Sequence, residues 1–172
     1  MLKLAGAFLI IIGCSGYGWS LGNIMQKRIA EMKSIIYMFQ LLKSAVSYRR
    51  ETLPDACRHA GDKLNGTLEI LMHGIAEEMD KNRHALFTEI WDTTTKEYFQ
   101  TSVLNKLQKE LILKFPEYIG YSDEDMQITV IEEYISQLNS QTEEMEKKIT
   151  DQKKVIMGVS TVSGMILTIL LL

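Results

Sequence analysis

A chain of 172 residues with 46% apolar residues and a net charge of −3 is long enough for one domain with short appendages. The mildly acidic balance excludes the basic excess that marks nucleic-acid-binding domains. Its two cysteines, Cys14 and Cys57, exclude both a disulfide framework and a CxxC metal pair. The charge is segregated: no Lys, Arg, Asp or Glu lies between Lys3 and Lys27, and none follows Lys154.

The first apolar stretch, residues 1–26, approaches the roughly 20 residues that a helix needs to cross about 30 Å of hydrocarbon, and predicts a transmembrane helix. Cys14, Gly18 and Gly22 recur at spacing four. Such a stripe of small residues lets helix backbones approach closely in lipid, although glycine is common in membrane helices generally. Ile11-Ile12-Gly13-Cys14 also fits a lipoprotein signal, which would leave a lipidated Cys14 facing outward. Against it, the apolar run continues to Met25 and the charged start is Lys3 alone.

Beyond the span, Met25, Ile29, Met32, Ile36, Phe39 and Val46 follow alternating steps of four and three, broken only by Lys43 and widened by Ile35, Met38 and Leu42. That seam predicts a helix running on from the span to Tyr48-Arg49-Arg50. Thr52 as N-cap and Pro54 in the first turn begin a short helix that Gly61 closes. Asn65-Gly66 is a turn, and Thr67 caps a helix with Leu68, Leu71, Met72, Ile75 and Met79 on one face. A further helix follows through Leu86, Phe87, Ile90, Trp91 and Tyr98. Another carries Val103, Leu104, Leu107, Leu111 and Phe115, ending near Pro116 to Gly120.

The last helix starts at Ser122, an N-cap candidate, with Asp123, Glu124 and Asp125 placing negative charge at the positive end of the helix dipole. Ile128, Ile131, Ile135, Leu138, Thr142, Met145 and Ile149 form a heptad-like seam. No Pro or Gly interrupts it before Gly158, so it predicts one rod of roughly 75 Å to the chain end, packed antiparallel against the first helix. Residues 155–172 form the second predicted span, with Ser160 and Gly164 at the same small-residue spacing. Both spans are flanked on the inner side by Lys and Arg: Lys27, Arg28, Lys33, Lys43, Arg49 and Arg50 after the first, Lys147, Lys148, Lys153 and Lys154 before the second. The positive-inside rule then places residues 27–154 in the cytoplasm. The predicted architecture is all-α: a bundle of about six helices at 27–154, between transmembrane helices at 1–26 and 155–172.

Chemistry-bearing patterns are missing from the interior. His59, His73 and His84 have no metal-ligand spacing, no glycine-rich loop cradles a phosphate, and no serine sits in a nucleophile elbow. Cys57 reads as a small buried residue. Neither a catalytic site nor a cofactor nor a metal is expected. The candidate functional residues are the charged turns Arg49-Arg50-Glu51 and Asp123-Glu124-Asp125, at the membrane-distal ends of the two long helices. Helix capping accounts for the acidic turn and a solvated loop for the basic one; the functional alternative is a docking face for a cytoplasmic partner.

Met1-Leu2-Lys3-Leu4 with its apolar run, Tyr48 followed by Leu53 and Ala56, Cys57-Arg58-His59, Gly120 before the long acidic-then-basic helix, and the terminal apolar span together resemble the stage III sporulation protein AB family, over essentially the whole chain. The resemblance implies a non-enzymatic membrane component of the channel complex between mother cell and forespore, on the mother-cell side of the outer forespore membrane. It also implies a cytoplasmic domain similar to a repeat of the platform (F) proteins of type II secretion and type IV pilus systems. The implied partners are a hexameric secretion-type ATPase and the other membrane subunits, in a hetero-oligomer. The sequence departs from the family pattern at the first turn. Arg49 stands where glycine often follows the tyrosine, the proline is Pro54 after Leu53, and Lys43 and Ala45 stand where acidic residues are expected. A membrane-anchored coiled-coil adaptor or signalling protein unrelated to secretion is the alternative from a different class.

Overall fold

A computed structural model describes the backbone of residues 2–119 and 124–171, and the side chains of residues 23–119, 128–151 and 155. The described residues form α1 (Leu2–Arg49), α2 (Leu53–Gly61), α3 (Thr67–Lys81), α4 (Phe87–Tyr98), α5 (Lys106–Leu113), a 3-10 turn (Phe115–Tyr118) and α6 (Glu124–Leu171). No strand occurs among them, so the fold is all-α. The chain divides into two compact units, Ala30–Gln141 and the pair of segments Met1–Ile29 and Thr142–Leu172. Both long helices run unbroken through residues 25–29 and 151–155.

The core of Ala30–Gln141 follows from the periodicity of α1. Met32, Ile35, Ile36, Met38, Phe39 and Leu42 are buried as the seam requires, and Ala45 joins them. On α6 the seam positions Ile131, Ile135 and Leu138 are buried, together with Tyr134, which lies off the predicted stripe. Phe39 meets Tyr134 edge-on at 5.1 Å between ring centroids, and one turn further along α1 Lys43 pairs with Glu132, earlier on α6. Within this unit α1 and α6 are therefore antiparallel. Phe39 also lies 4.3 Å from Phe115, and Phe115 lies 5.0 Å from Trp91. One aromatic cluster thus joins α1, α4, the 3-10 turn and α6. Each such pair contributes about 0.5–1.5 kcal/mol beyond the area it buries. Its polar tips are satisfied: Trp91 Nε1 donates to the Ile112 carbonyl at 3.1 Å, and the Tyr134 hydroxyl to the Leu111 carbonyl at 3.1 Å.

Gly61 is the last residue of α2, as expected, and Asp62 follows in the right-handed region. What Gly61 supplies is space, because a Cβ there would stand 2.8 Å from His73 Nε2. Gly66, at φ +68, precedes α3 where Thr67 was expected as cap, and Thr67 is the first helical residue. The helix expected over residues 103–115 is shorter and turned: Asn105 caps α5 in a reciprocal box with Gln108, Gln108 and Ile112 face inward, and Leu107 is 76% exposed. The Asn105 box fixes the helix start at Lys106, three residues beyond Val103, which changes the buried face.

In the second unit, Ile29 of α1 and Thr142 and Ile149 of α6 are buried, as their seams predict, and Lys148 pairs with Glu144 one turn earlier at 2.8 Å. Among the described residues no helix is long and apolar enough to cross a membrane. The side chains of the two apolar termini lie outside the described residues, as do those of Cys14, Gly18, Gly22, Ser160 and Gly164.

Candidate partner-binding surface

The basic turn forms because α1 must stop before Thr52 opens α2. Arg50 takes φ +50, a left-handed conformation that glycine adopts at no steric cost, and the Glu51 N–H folds back to the Ala45 carbonyl at 3.3 Å. Arg49, half exposed, places its guanidinium 3.4 Å from Glu51 Oε1 and 2.9 Å from His59 Nε2 on α2, so it ties the turn to the next helix. Arg50 is exposed. Glu51 is largely buried, and its Oε2, like Ser47 Oγ, is a buried oxygen without a hydrogen-bond partner among the described residues.

A second set of charges extends the network along α2. The Thr52 hydroxyl donates to Asp55 Oδ2 at 2.6 Å. Arg58 donates to Asp55 Oδ1 at 2.6 Å and also to Asp80 of α3. Exposed pairs of this kind contribute at most about 1 kcal/mol each; their value here is orientation. Of the acidic turn, Asp123 lies outside the described residues. Glu124 and Asp125 open α6, with side chains outside them as well.

Two clefts open on Ala30–Gln141. The larger, about 620 Å³, lies between α1, the α2–α3 loop and the α4–α5 loop and is lined by Glu31, Tyr37, Lys63, Asn65, Thr101 and neighbours. Its floor is fixed by Glu31, a residue that periodicity alone did not single out. Glu31 Oε1 accepts from the Tyr98 hydroxyl at 2.6 Å, and Oε2 accepts from the Val103 N–H at 3.0 Å. Burial, and then the hydrogen bond and charge of Glu31, push the Tyr98 phenol above the usual tyrosine range. The smaller cleft lies on the α1–α6 seam.

The remaining titratable groups offer little chemistry. Burial pushes the Cys57 thiol up to about 12, against the opposing pull of Arg58, so it stays protonated and unreactive at neutral pH. His59 and His73 are engaged by Arg49 and by Asp62. Among the described residues no group of three or more His, Cys, Asp or Glu could hold a metal ion.

An all-α domain in which two long helices run antiparallel, with ion-pair networks on its surface, defines a helical-bundle protein. The chain belongs to the stage III sporulation protein AB family, whose model matches residues 3–172. It is 23% identical to the stage III sporulation protein AB of Bacillus subtilis (strain 168) over 172 residues, 100% of both chains. A solved structure of stage III sporulation protein AB superposes with a TM-score of 0.65 at 19% identity, covering 72% of this chain and 97% of that one. At that identity the likeness concerns the fold.

Proposed function

We propose that the protein is a non-enzymatic membrane component of a sporulation channel complex, anchored by spans at 1–26 and 155–172, with residues 27–154 on the cytoplasmic side. The observation that carries this reading is the family match across residues 3–172. The spans are supported by the absence of charge from both apolar termini and by the lysines and arginines that flank them. Residues 27–154 act as a platform for a secretion-type ATPase. α1 and α6, unbroken from the termini into the domain, provide the route by which force on the distal turn reaches the bilayer. The exposed Arg50, held at the tip of the turn by its left-handed backbone, is the contact we assign to the motor.

The test is capture of the hexameric secretion-type ATPase by the full chain in nanodiscs. Wild type and Arg50→Gly, which suits the left-handed backbone, are compared with Arg50→Glu. Retention by wild type with a loss of at least tenfold in Arg50→Glu supports the coupling. Absence of binding by wild type removes the motor role, and equal binding by all three removes Arg50. Protease protection of residues 27–154 in right-side-out vesicles, with cleavage in inverted ones, checks the topology.

A further inference from the structure

Apart from Glu31, whose carboxylate is held by the Tyr98 hydroxyl and the Val103 N–H, charge is sorted between the two long helices of Ala30–Gln141. Every charged residue of α1 and its following residue over 32–50 is basic: Lys33, Lys43, Arg49 and Arg50. Every charged residue of α6 over 124–141 is acidic: Glu124, Asp125, Glu132 and Glu133. The outward ridge of α1 is otherwise uncharged, running through Tyr37, Gln40, Ser44 and Tyr48, and Tyr48 is 83% exposed. On α6 over 128–141 the exposed residues are Thr129, Glu132, Glu133, Ser136, Gln137, Ser140 and Gln141. Between the two ridges lies the smaller cleft, about 460 Å³, lined by Gln40, Lys43, Ser44, Tyr48, Glu132 and Ile135. Tyr48 stands exposed over a groove that also holds the Lys43–Glu132 pair, and tyrosine is enriched at interface centres.

The geometry points to a second copy of this chain seated over this cleft, related by a two-fold axis parallel to α1 and α6. Under that symmetry α1 of each copy lies on α6 of the other, and every residue keeps its level along the axis. Lys43 of one copy then stands at the level of Glu132 and Glu133 of the other, because Lys43 and Glu132 already share a level within one chain. A two-fold axis across the helices would instead lay α1 on α1 and α6 on α6, opposing like charges along the whole contact. The area is adequate: Ala30–Arg49 spans about 30 Å, and two helices are about 20 Å wide. That footprint is on the order of 600 Å² a copy, near the roughly 800 Å² of a standard interface. A closed two-fold pair is also the commonest soluble symmetry. The pairing is independent of the ATPase reading and stands or falls separately from it.

Cysteine pairs decide it. In the full chain in detergent, with Cys14 replaced by Ser and Cys57 left buried, Gln40→Cys and Ser136→Cys chains are treated with a short bis-maleimide, each alone and mixed. The mixture is expected to give cross-linked dimer at least fivefold above either chain alone. Cross-linking of Gln40→Cys alone that equals the mixture overturns the arrangement, and so does a monomer in sedimentation at concentrations up to about 100 μM, a bound typical of weak interfaces. Tyr48→Glu, at an exposed position that leaves the core intact, is expected to weaken self-association at least tenfold. Unchanged association in that variant overturns the role of the cleft. Raising the salt from 50 to 500 mM should weaken the wild-type dimer severalfold.

Discussion

Thr95 is wholly buried on α4, and its hydroxyl has no hydrogen-bond partner among the described residues. Its neighbours Thr93 and Thr94 donate to the carbonyls of Glu89 and Ile90, one turn back; Thr95 does not. An unsatisfied buried hydroxyl costs roughly 1–3 kcal/mol. Thr95→Val, which keeps the shape and removes the hydroxyl, should therefore raise stability by about 1 kcal/mol in chemical denaturation, and a loss of stability would show that the hydroxyl is satisfied. Gly61 gives a second prediction at this scale. An added Cβ would displace the His73 ring, whereas alanine is the better helix former by about 0.5–1 kcal/mol. Gly61→Ala should accordingly be near neutral in the wild type and stabilising by roughly 0.5 kcal/mol in a His73→Ala background. Equal effects in both backgrounds would exclude the contact.

Among the elements, α5 is the shortest α-helix and the one most dependent on its ends. Asn105 accepts from the Gln108 N–H at 2.9 Å, and the Gln108 side chain accepts from the Asn105 N–H at 2.9 Å. Lys109 holds the Phe99 carbonyl at 2.8 Å. An Asn-to-Ala change at such a cap costs about 1 kcal/mol. Asn105→Ala should lose that much, with hydrogen exchange rising first in α5, whereas uniform exchange through all helices would mean that the box does not set the local stability. The same box explains the main error of the sequence reading. Leu104, Leu107 and Leu111 look like one helical face, but a start at Lys106 puts Leu107 in solvent, and Leu104 reaches the core from the loop. By contrast, the long seams of α1 and α6 were readable, because over many turns the periodic signal outweighs any one misplaced residue.

At the scale of the whole molecule, stability should respond to alkaline pH. Cys57 is raised from 9.0 to about 12 by burial. The Tyr98 and Tyr134 phenols are raised above the usual tyrosine range, Tyr134 by burial and then by Tyr118. Each folded-state value lies above its unfolded one, so the folded state holds protons that the unfolded chain releases. The associated stability is full below about pH 9 and is lost as pH rises from about 9 toward 12. The denaturation midpoint of the full chain in detergent should be flat from about pH 7 to 8.5 and fall steeply above 9, and Cys57→Ala should remove the onset of that fall. A flat profile to pH 11 would contradict the burial of all three groups.

The sequence alone determined the all-α class, the stop of α1 at Arg49, the buried faces of α1, α3 and α6, and the family, because these rest on repeated spacing and on the order of features along the chain. Tertiary structure decided what depends on partners distant in sequence. Glu31 binds Tyr98 and the Val103 N–H, and Arg49 turns toward His59. Gly61 serves the His73 ring, and Phe39, Trp91, Phe115 and Tyr134 meet in one cluster. No local pattern encodes these contacts. A side chain's spacing fixes which face of its helix it occupies, and only the packing of the other helices fixes what that face meets.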